Sequence, residues 1–154
     1  MSQTITKRVK APKVTYVNAD GQIVGRMGSK VAKLLINGEE VVILNAEKAI
    51  FSGKKKSKVA EGHLFLEVGA PARGPFHYRR PDRFLRKTLR GMLPFKQPKG
   101  QSAYKRLKVF MGVPAEYKDK QMVSFVDAQA SDLKGPRFTL GEFASEIGWR
   151  NRME

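Results

Sequence analysis

An α/β fold with parallel strands is predicted for this chain of 154 residues. Two observations predict it. A short strand pattern at Val14–Val17, a helix-period segment from Val24 to Leu35 and the all-apolar run Val41–Leu44 follow one another, which is β-α-β order. A hydrophobic fraction of 41% then supports a folded core despite 29% charged residues. At this length residues 1–154 are expected to form a single domain, burying about two-thirds of the unfolded surface.

The elements follow in order. Asp20-Gly21 marks a turn after the first strand. Val24, Met27, Val31, Leu34 and Leu35 then recur at helical spacing, with Arg26, Lys30 and Lys33 on another face. Asn37-Gly38 closes that helix with a left-handed cap. The unbroken apolar character of Val41–Leu44 suits a strand covered on both sides. A lysine cluster (Lys54, Lys55, Lys56, Lys58) follows Ser52-Gly53 and leads to a helix running towards Leu66. Residues 68–81 read as a loop, because Pro71, Pro75 and Pro81 exclude regular structure. A basic helix comes next, ended by Gly91 and Pro94, and then a second loop over 94–104 with Pro98 and Gly100. Leu107–Met111 and Met122–Val126 read as two further strands. Finally, Thr139 and Glu142 have capping-box spacing. Leu140, Phe143, Ala144 and Ile147 form the apolar stripe of a packing helix within 139–149, closed by Gly148.

Charge is distributed unevenly along this frame. The formal net charge is +16, and the window 73–108 holds twelve Lys or Arg against the single acid Asp82. Residues 1–13 read as a flexible basic arm, whereas 14–72 and 109–154 are close to balanced. Within RFLRKTLRGMLP, Arg83, Arg86, Lys87 and Arg90 fall at i, i+3, i+4 and i+7, one face of a helix. Phe84, Leu85, Leu89 and Met92 take the opposite face. Like charges at these spacings cost a helix roughly 0.2–0.5 kcal/mol per pair. A face built only for solubility would mix its signs. This one points to a polyanion partner. In the preceding loop, Phe76, His77 and Tyr78 lie between Arg73 and the pair Arg79-Arg80. Such aromatics either stack on splayed bases or anchor the loop in the core.

Other chemistries find little support. Gly21, Gly25 and Gly28 do not make the dinucleotide fingerprint, and Asn45 stands where an acid would follow the second strand. Gly25 and Gly28 are expected to let the first helix approach the sheet. A phosphate loop at Gly53-Lys54 fails, since Lys48 replaces its first glycine and Lys55 its Ser or Thr. There is no cysteine, and only His63 and His77 are present, so a Cys/His zinc site is excluded. Neither histidine has a nucleophile context. Asp82 is expected to cap the basic helix. No apolar run approaches the roughly 20 residues of a membrane span. MSQTITKRVKAP lacks the apolar core of a signal peptide, which makes the cytoplasm the expected compartment.

These residues resemble a known family. VNADGQIVGRMGSKVAKLL (17–35), VVILNAEKAIFSGKK (41–55) and above all RGMLPFKQPKGQSAYKRLKVFMG (90–112) are similar to the universal large-subunit ribosomal protein thirteen family. RGPFHYRRP (73–81) and LGEFASEIGW (140–149) resemble its archaeal and eukaryotic branch, while 59–72 departs from the bacterial pattern. The resemblance implies a three-layer α/β/α fold around a central four-stranded parallel or mixed sheet, with a basic loop-helix-loop extension. It also implies a structural constituent of the large ribosomal subunit that binds folded rRNA and supports assembly. No enzyme activity, cofactor, membrane or small-molecule substrate is implied, and the partners would be large-subunit rRNA and neighbouring ribosomal proteins.

The residues expected to grip rRNA are Lys54, Lys55, Lys56, Lys58, Arg73, Arg79, Arg80, Arg83, Arg86, Lys87, Arg90, Lys96, Lys99, Lys105 and Arg106. The nearly neutral C-terminal third is the expected place for protein contact. Two other readings belong to different classes. A nucleotide-dependent enzyme would need the glycines that are absent; a free-standing regulatory RNA binder stays open on sequence alone.

Overall fold

A computed structural model describes residues 13–150 apart from Pro71 and Phe76, so the expected basic arm lies almost wholly outside the described residues. Strand β1 (Val14–Asn18) leads through helix α1 (Val24–Ile36) to strand β2 (Glu40–Leu44). Both strands pair in parallel, from Val14 opposite Glu40 to Asn18 opposite Leu44. Strand β3 (Ile50–Ser52) precedes helices α2 (Lys55–Glu67), α3 (Pro81–Met92) and α4 (Pro98–Lys105). Strands β4 (Leu107–Val109), β5 (Met122–Val123) and β6 (Arg137–Thr139) and helix α5 (Leu140–Glu146) complete the order. The main sheet runs β4-β2-β1-β5 with every pairing parallel, so the α/β expectation holds and the sheet is parallel, not mixed.

Alternation across the pleat sorts the sheet's two faces. Val17, Val41, Ile43 and Leu107 join Met27, Val31 and Leu35 of α1 and Leu85 and Leu89 of α3 in one buried cluster. The other face carries Tyr16, whose ring lies 5.6 Å from that of Tyr117. Helix α1 closes as expected: Gly38 has φ +101°, its N–H donates to the Leu35 carbonyl, and the N–H of Glu39 donates to Leu34. Helix α5 opens with the Thr139 hydroxyl accepting from the Glu142 N–H at 3.1 Å.

Four expectations need correction. Residues 98–105 form α4 where a loop was expected. Pro98 at its start has no N–H to lose, and Gly100 is forced, since a Cβ there would meet the Pro94 carbonyl oxygen at 2.1 Å. The last two long strands are short, because β4 ends at Val109 and β5 spans only Met122–Val123. Asp82 does not cap α3 but sits inside its first turn, accepting from Arg80 Nε and Nη2, each at 3.1 Å. Neither glycine of α1 serves an approach to the sheet: a Cβ on Gly28 would meet Met92 Sδ at 2.7 Å and Leu89 Cδ2 at 3.1 Å, both on α3, and one on Gly25 would meet no atom of the described residues within 4 Å.

A two-stranded antiparallel sheet, β3 with β6, was not expected from sequence. It pairs Phe51 with Phe138 in register, and their rings meet those of Phe84 from α3 and Phe143 from α5. Edge-to-face aromatic packing of this kind contributes about 0.5–1.5 kcal/mol per pair beyond burial. It fixes α3 against the rest of the fold, and so positions the basic face.

Candidate nucleic-acid interface

Helix α3 has the two faces its spacing predicts. Leu85 and Leu89 are fully buried, Phe84 is half-buried against the core, and Met92 lies at the rim. The other side carries Arg83, Arg86, Lys87 and Arg90, and each lies over an aromatic ring. Arg83 lies over Tyr78 at 5.8 Å, Arg86 over Tyr104 at 4.7 Å, Lys87 over Phe65 at 4.7 Å and Arg90 over Phe95 at 4.1 Å from the ring centre. The rings come from four different places: the loop before α3, α4, α2 and the turn after α3.

This answers the energetic question the sequence poses. Like-charge pairs along α3 cost roughly 0.2–0.5 kcal/mol each. A cation over an exposed ring returns about 0.5–1 kcal/mol each. With four of each, the rings offset the repulsion without adding negative charge. Among the described residues none of these four cations has a carboxylate partner. A guanidinium lying on a ring still turns its N–H edges outward, where they can fork onto a phosphate.

The other expected contacts divide by what already holds them. Lys54 and Lys56 are exposed beside α2's first turn. Lys55 pairs with Glu146 at 3.0 Å and Glu142 at 4.0 Å, and Lys58 with Glu61 at 2.8 Å. Arg73 is exposed in the loop, and the Arg79 guanidinium lies beside Gly148. Arg80 is held by Asp82. Lys96, Lys99 and Lys105 are exposed along the turn and α4. Arg106 differs from the rest. It is half-buried and donates from Nη2 to the Leu35 carbonyl at 2.7 Å, which ties β4 to the end of α1.

The loop aromatics also separate. Tyr78 is 47% exposed with Arg83 over its ring, so it supports the basic face at the surface. His77 packs on Phe65 with ring centres 3.7 Å apart, and its Nδ1 accepts from Lys87 Nζ at 3.2 Å. That contact requires neutral imidazole with its proton on Nε2. Its partial burial, and then the Lys87 ammonium, hold the His77 pKa below the ordinary 6.5. Phe76 lies outside the described residues.

Sequence reasoning missed Phe65, Phe95 and Tyr104 as supports. Phe95 could have been found, since it follows Arg90 by five residues across a proline turn. Phe65 and Tyr104 could not, because only tertiary packing brings them to α3. A cleft of about 580 Å³ opens where α3 ends, lined by Arg90, Phe95 and Lys96 among others, with no acid among the described residues of its walls. At the strand ends where a dinucleotide would bind, the Asn45 amide instead donates to Asn18, and Glu47 accepts from the Gly112 N–H.

Residues 12–116 match the family described as Ribosomal protein L13. A large ribosomal subunit protein uL13 from Methanococcoides burtonii is 43% identical over 136 residues, covering 88% of this chain and 98% of the relative. The protein of the same name from Sulfurisphaera tokodaii is 44% identical over 140 residues, covering 88% of this chain and 94% of its own length. That from Archaeoglobus fulgidus is 40% identical over 138 residues, with 88% of each chain covered.

Proposed function

Because this chain belongs to the ribosomal protein L13 family, we infer that it is a structural constituent of the large subunit of the cytoplasmic ribosome, binding and stabilising folded rRNA and supporting subunit assembly. It is not an enzyme. Its work is to hold a polyanion in one geometry.

The observation that carries the rRNA grip is the ring-supported, unneutralised basic face of α3. Four cations spaced along one helix face meet successive phosphates, and the rings beneath them limit how far each can swing. Ordering them on a phosphate then costs less entropy. Around this centre, Lys96, Lys99 and Lys105 extend the positive surface along α4, and Arg73, Arg79 and Arg80 extend it along the preceding loop. Lys54, Lys55, Lys56 and Lys58 form a second, partly neutralised contact at α2. Arg106 contributes mainly by fixing β4. Binding is chiefly electrostatic and shape-based, since phosphate contacts position a partner and base contacts specify it. Ribosomal proteins are assigned to the C-terminal third, where Val123 is 42% and Val126 80% exposed.

Sucrose-gradient sedimentation of a cell extract tests the reading. The protein is expected to travel with large subunits and to leave them only as salt is raised. A pool confined to the top of the gradient at low salt would instead mark a free-standing RNA regulator.

A further inference from the structure

Among the described residues, nothing in the packing explains why two helical positions are glycine. Gly25 lies in the first turn of α1 and Gly91 in the last turn of α3, neither with a positive φ. Among the described residues, a Cβ at either position would meet no atom within 4 Å. Glycine weakens a helix relative to alanine, because its backbone has more freedom to lose on folding. Gly28 and Gly62 show the ordinary reason for accepting that cost. A Cβ on Gly28 would strike Met92, and one on Gly62 would come within 3.0 Å of Ile147.

Both unexplained glycines line the same groove. It encloses about 640 Å³ between α2 and α3, with Phe65 and Phe84 in its walls and Lys58 and Lys87 at its rim. Gly91 and Lys87 also line the cationic cleft of Arg90, Phe95 and Lys96. Gly91 is therefore a bare stretch of helix backbone on a ridge, with an apolar, aromatic-walled groove on one side and a basic cleft on the other.

The occupant must match that layout within about one residue's width. A nucleotide does so, being a flat aromatic base joined through a sugar to a phosphate. An acidic, apolar peptide fits less well. Among the described residues, the one carboxylate in the groove wall, Glu61, is already paired with Lys58 at 2.8 Å, and the charged groups lining the cleft are all cations. We propose that an RNA strand crosses α3 at Gly91, lodging one unstacked base in the groove between α2 and α3 and its phosphate in the cationic cleft beyond. This rests on the rRNA-binding reading above and adds to it a nucleotide subsite.

The test compares Gly91→Ala, Gly91→Leu and Phe65→Ala with a control, Arg83→Glu plus Arg86→Glu, which lies off the ridge. The probe is large-subunit rRNA transcribed from the Methanococcoides burtonii sequence, bound across a salt series, with a thermal melt of every variant. Gly91→Ala is expected to melt at or above the wild-type temperature and yet to bind more weakly. Gly91→Leu is expected to lose about tenfold in affinity, the scale of one stacked base, and Phe65→Ala, which also removes the ring beneath Lys87, at least as much. Their salt slope is expected to change by less than the ~0.7–0.9 of one phosphate contact. Ultraviolet crosslinking of rRNA carrying 4-thiouridine is expected to label peptides from α2 or α3, and to lose that label in Gly91→Leu. If Gly91→Leu bound within twofold of wild type while the control lost affinity, the subsite would be wrong and the rRNA grip would stand. If the control also bound normally, the underlying reading would fall. Unchanged rRNA affinity of Gly91→Leu, with exclusion from large subunits in a gradient, would give the groove to a protein and overturn the proposal.

Discussion

At the start of α2, Lys55 meets Glu146 at 3.0 Å and Lys58 meets Glu61 at 2.8 Å, whereas along α3 the cations Arg83, Arg86, Lys87 and Arg90 meet aromatic rings. Both segments are basic, and both were expected to face rRNA. A carboxylate cancels the charge it pairs with. A ring stabilises the cation through its quadrupole and leaves the net charge in place. The α3 face therefore presents its full charge to solvent, while a phosphate approaching Lys55 or Lys58 must compete with an existing partner. Exposed ion pairs are worth only about 0–1 kcal/mol, so that competition would mute the contact proposed at α2 without abolishing it.

The largest expected effect lies on α3. Arg86→Glu with Arg90→Glu should reduce rRNA affinity by about tenfold or more per residue, since a charged hydrogen bond is worth about 1.5–3 kcal/mol. The log–log salt slope should fall by about 0.7–0.9 for each phosphate left without its cation. The melting temperature should change little, because two cation–ring contacts and the like-charge pairs disappear together. A salt titration with unchanged slope would make the stripe a solvated face.

Leu89→Ala, on the opposite side of the same helix, should cost about 2–5 kcal/mol in denaturant unfolding, as a fully buried leucine does. Its salt slope should match wild type. A variant with full stability and a reduced slope would reverse the assignment of faces.

Smaller effects sharpen the α2 side. Lys55→Ala with Lys58→Ala should lower stability by at most about 1 kcal/mol. It should also lower the salt slope less than the α3 pair does. An equal or greater loss of slope would show that carboxylate pairing does not mute these lysines, and the contrast between the helices would collapse.

The smallest effect concerns His77. Its pKa, read by NMR titration of the free protein, should lie below 6.5 and rise in Lys87→Met, where the ammonium is gone. Because the folded form resists protonation, the unfolded chain takes up the proton first as the pH falls. This contribution to stability is thus complete above pH 6.5 and declines from there towards the folded-state pKa. A His77 titrating above 6.5 would contradict the Lys87 contact.

Much of this was legible in the residues alone. The order from Val14 to Leu44 needs only local periodicity and the Asn37-Gly38 stop, and the structure returns both. The two faces of α3 follow from 3.6-residue spacing, and Thr139 as a cap follows from its distance to Glu142. The density of charge between Arg73 and Lys108 is a property of composition, so no fold is needed to see that it seeks a polyanion.

What only the tertiary structure decided has a common physical cause, which is contact between residues far apart in the chain. Three-residue strands such as β3 and β6 are too short to show alternation, so the sheet that fixes Phe51 and Phe138 leaves no periodic trace. Helix α4 is obscured by Pro98 and Gly100, which read locally as breakers. One is a helix start, and the other is demanded by the Pro94 carbonyl. Whether a lysine is free or spent depends on where Glu142 and Glu146 arrive, some ninety residues after Lys55. The sequence by itself determined that α3 would carry a positive stripe. Only the packing of α2, α4 and their turns supplied the rings that let four like charges share one face, because a cation–ring contact depends on distance and orientation in space, which sequence spacing does not encode.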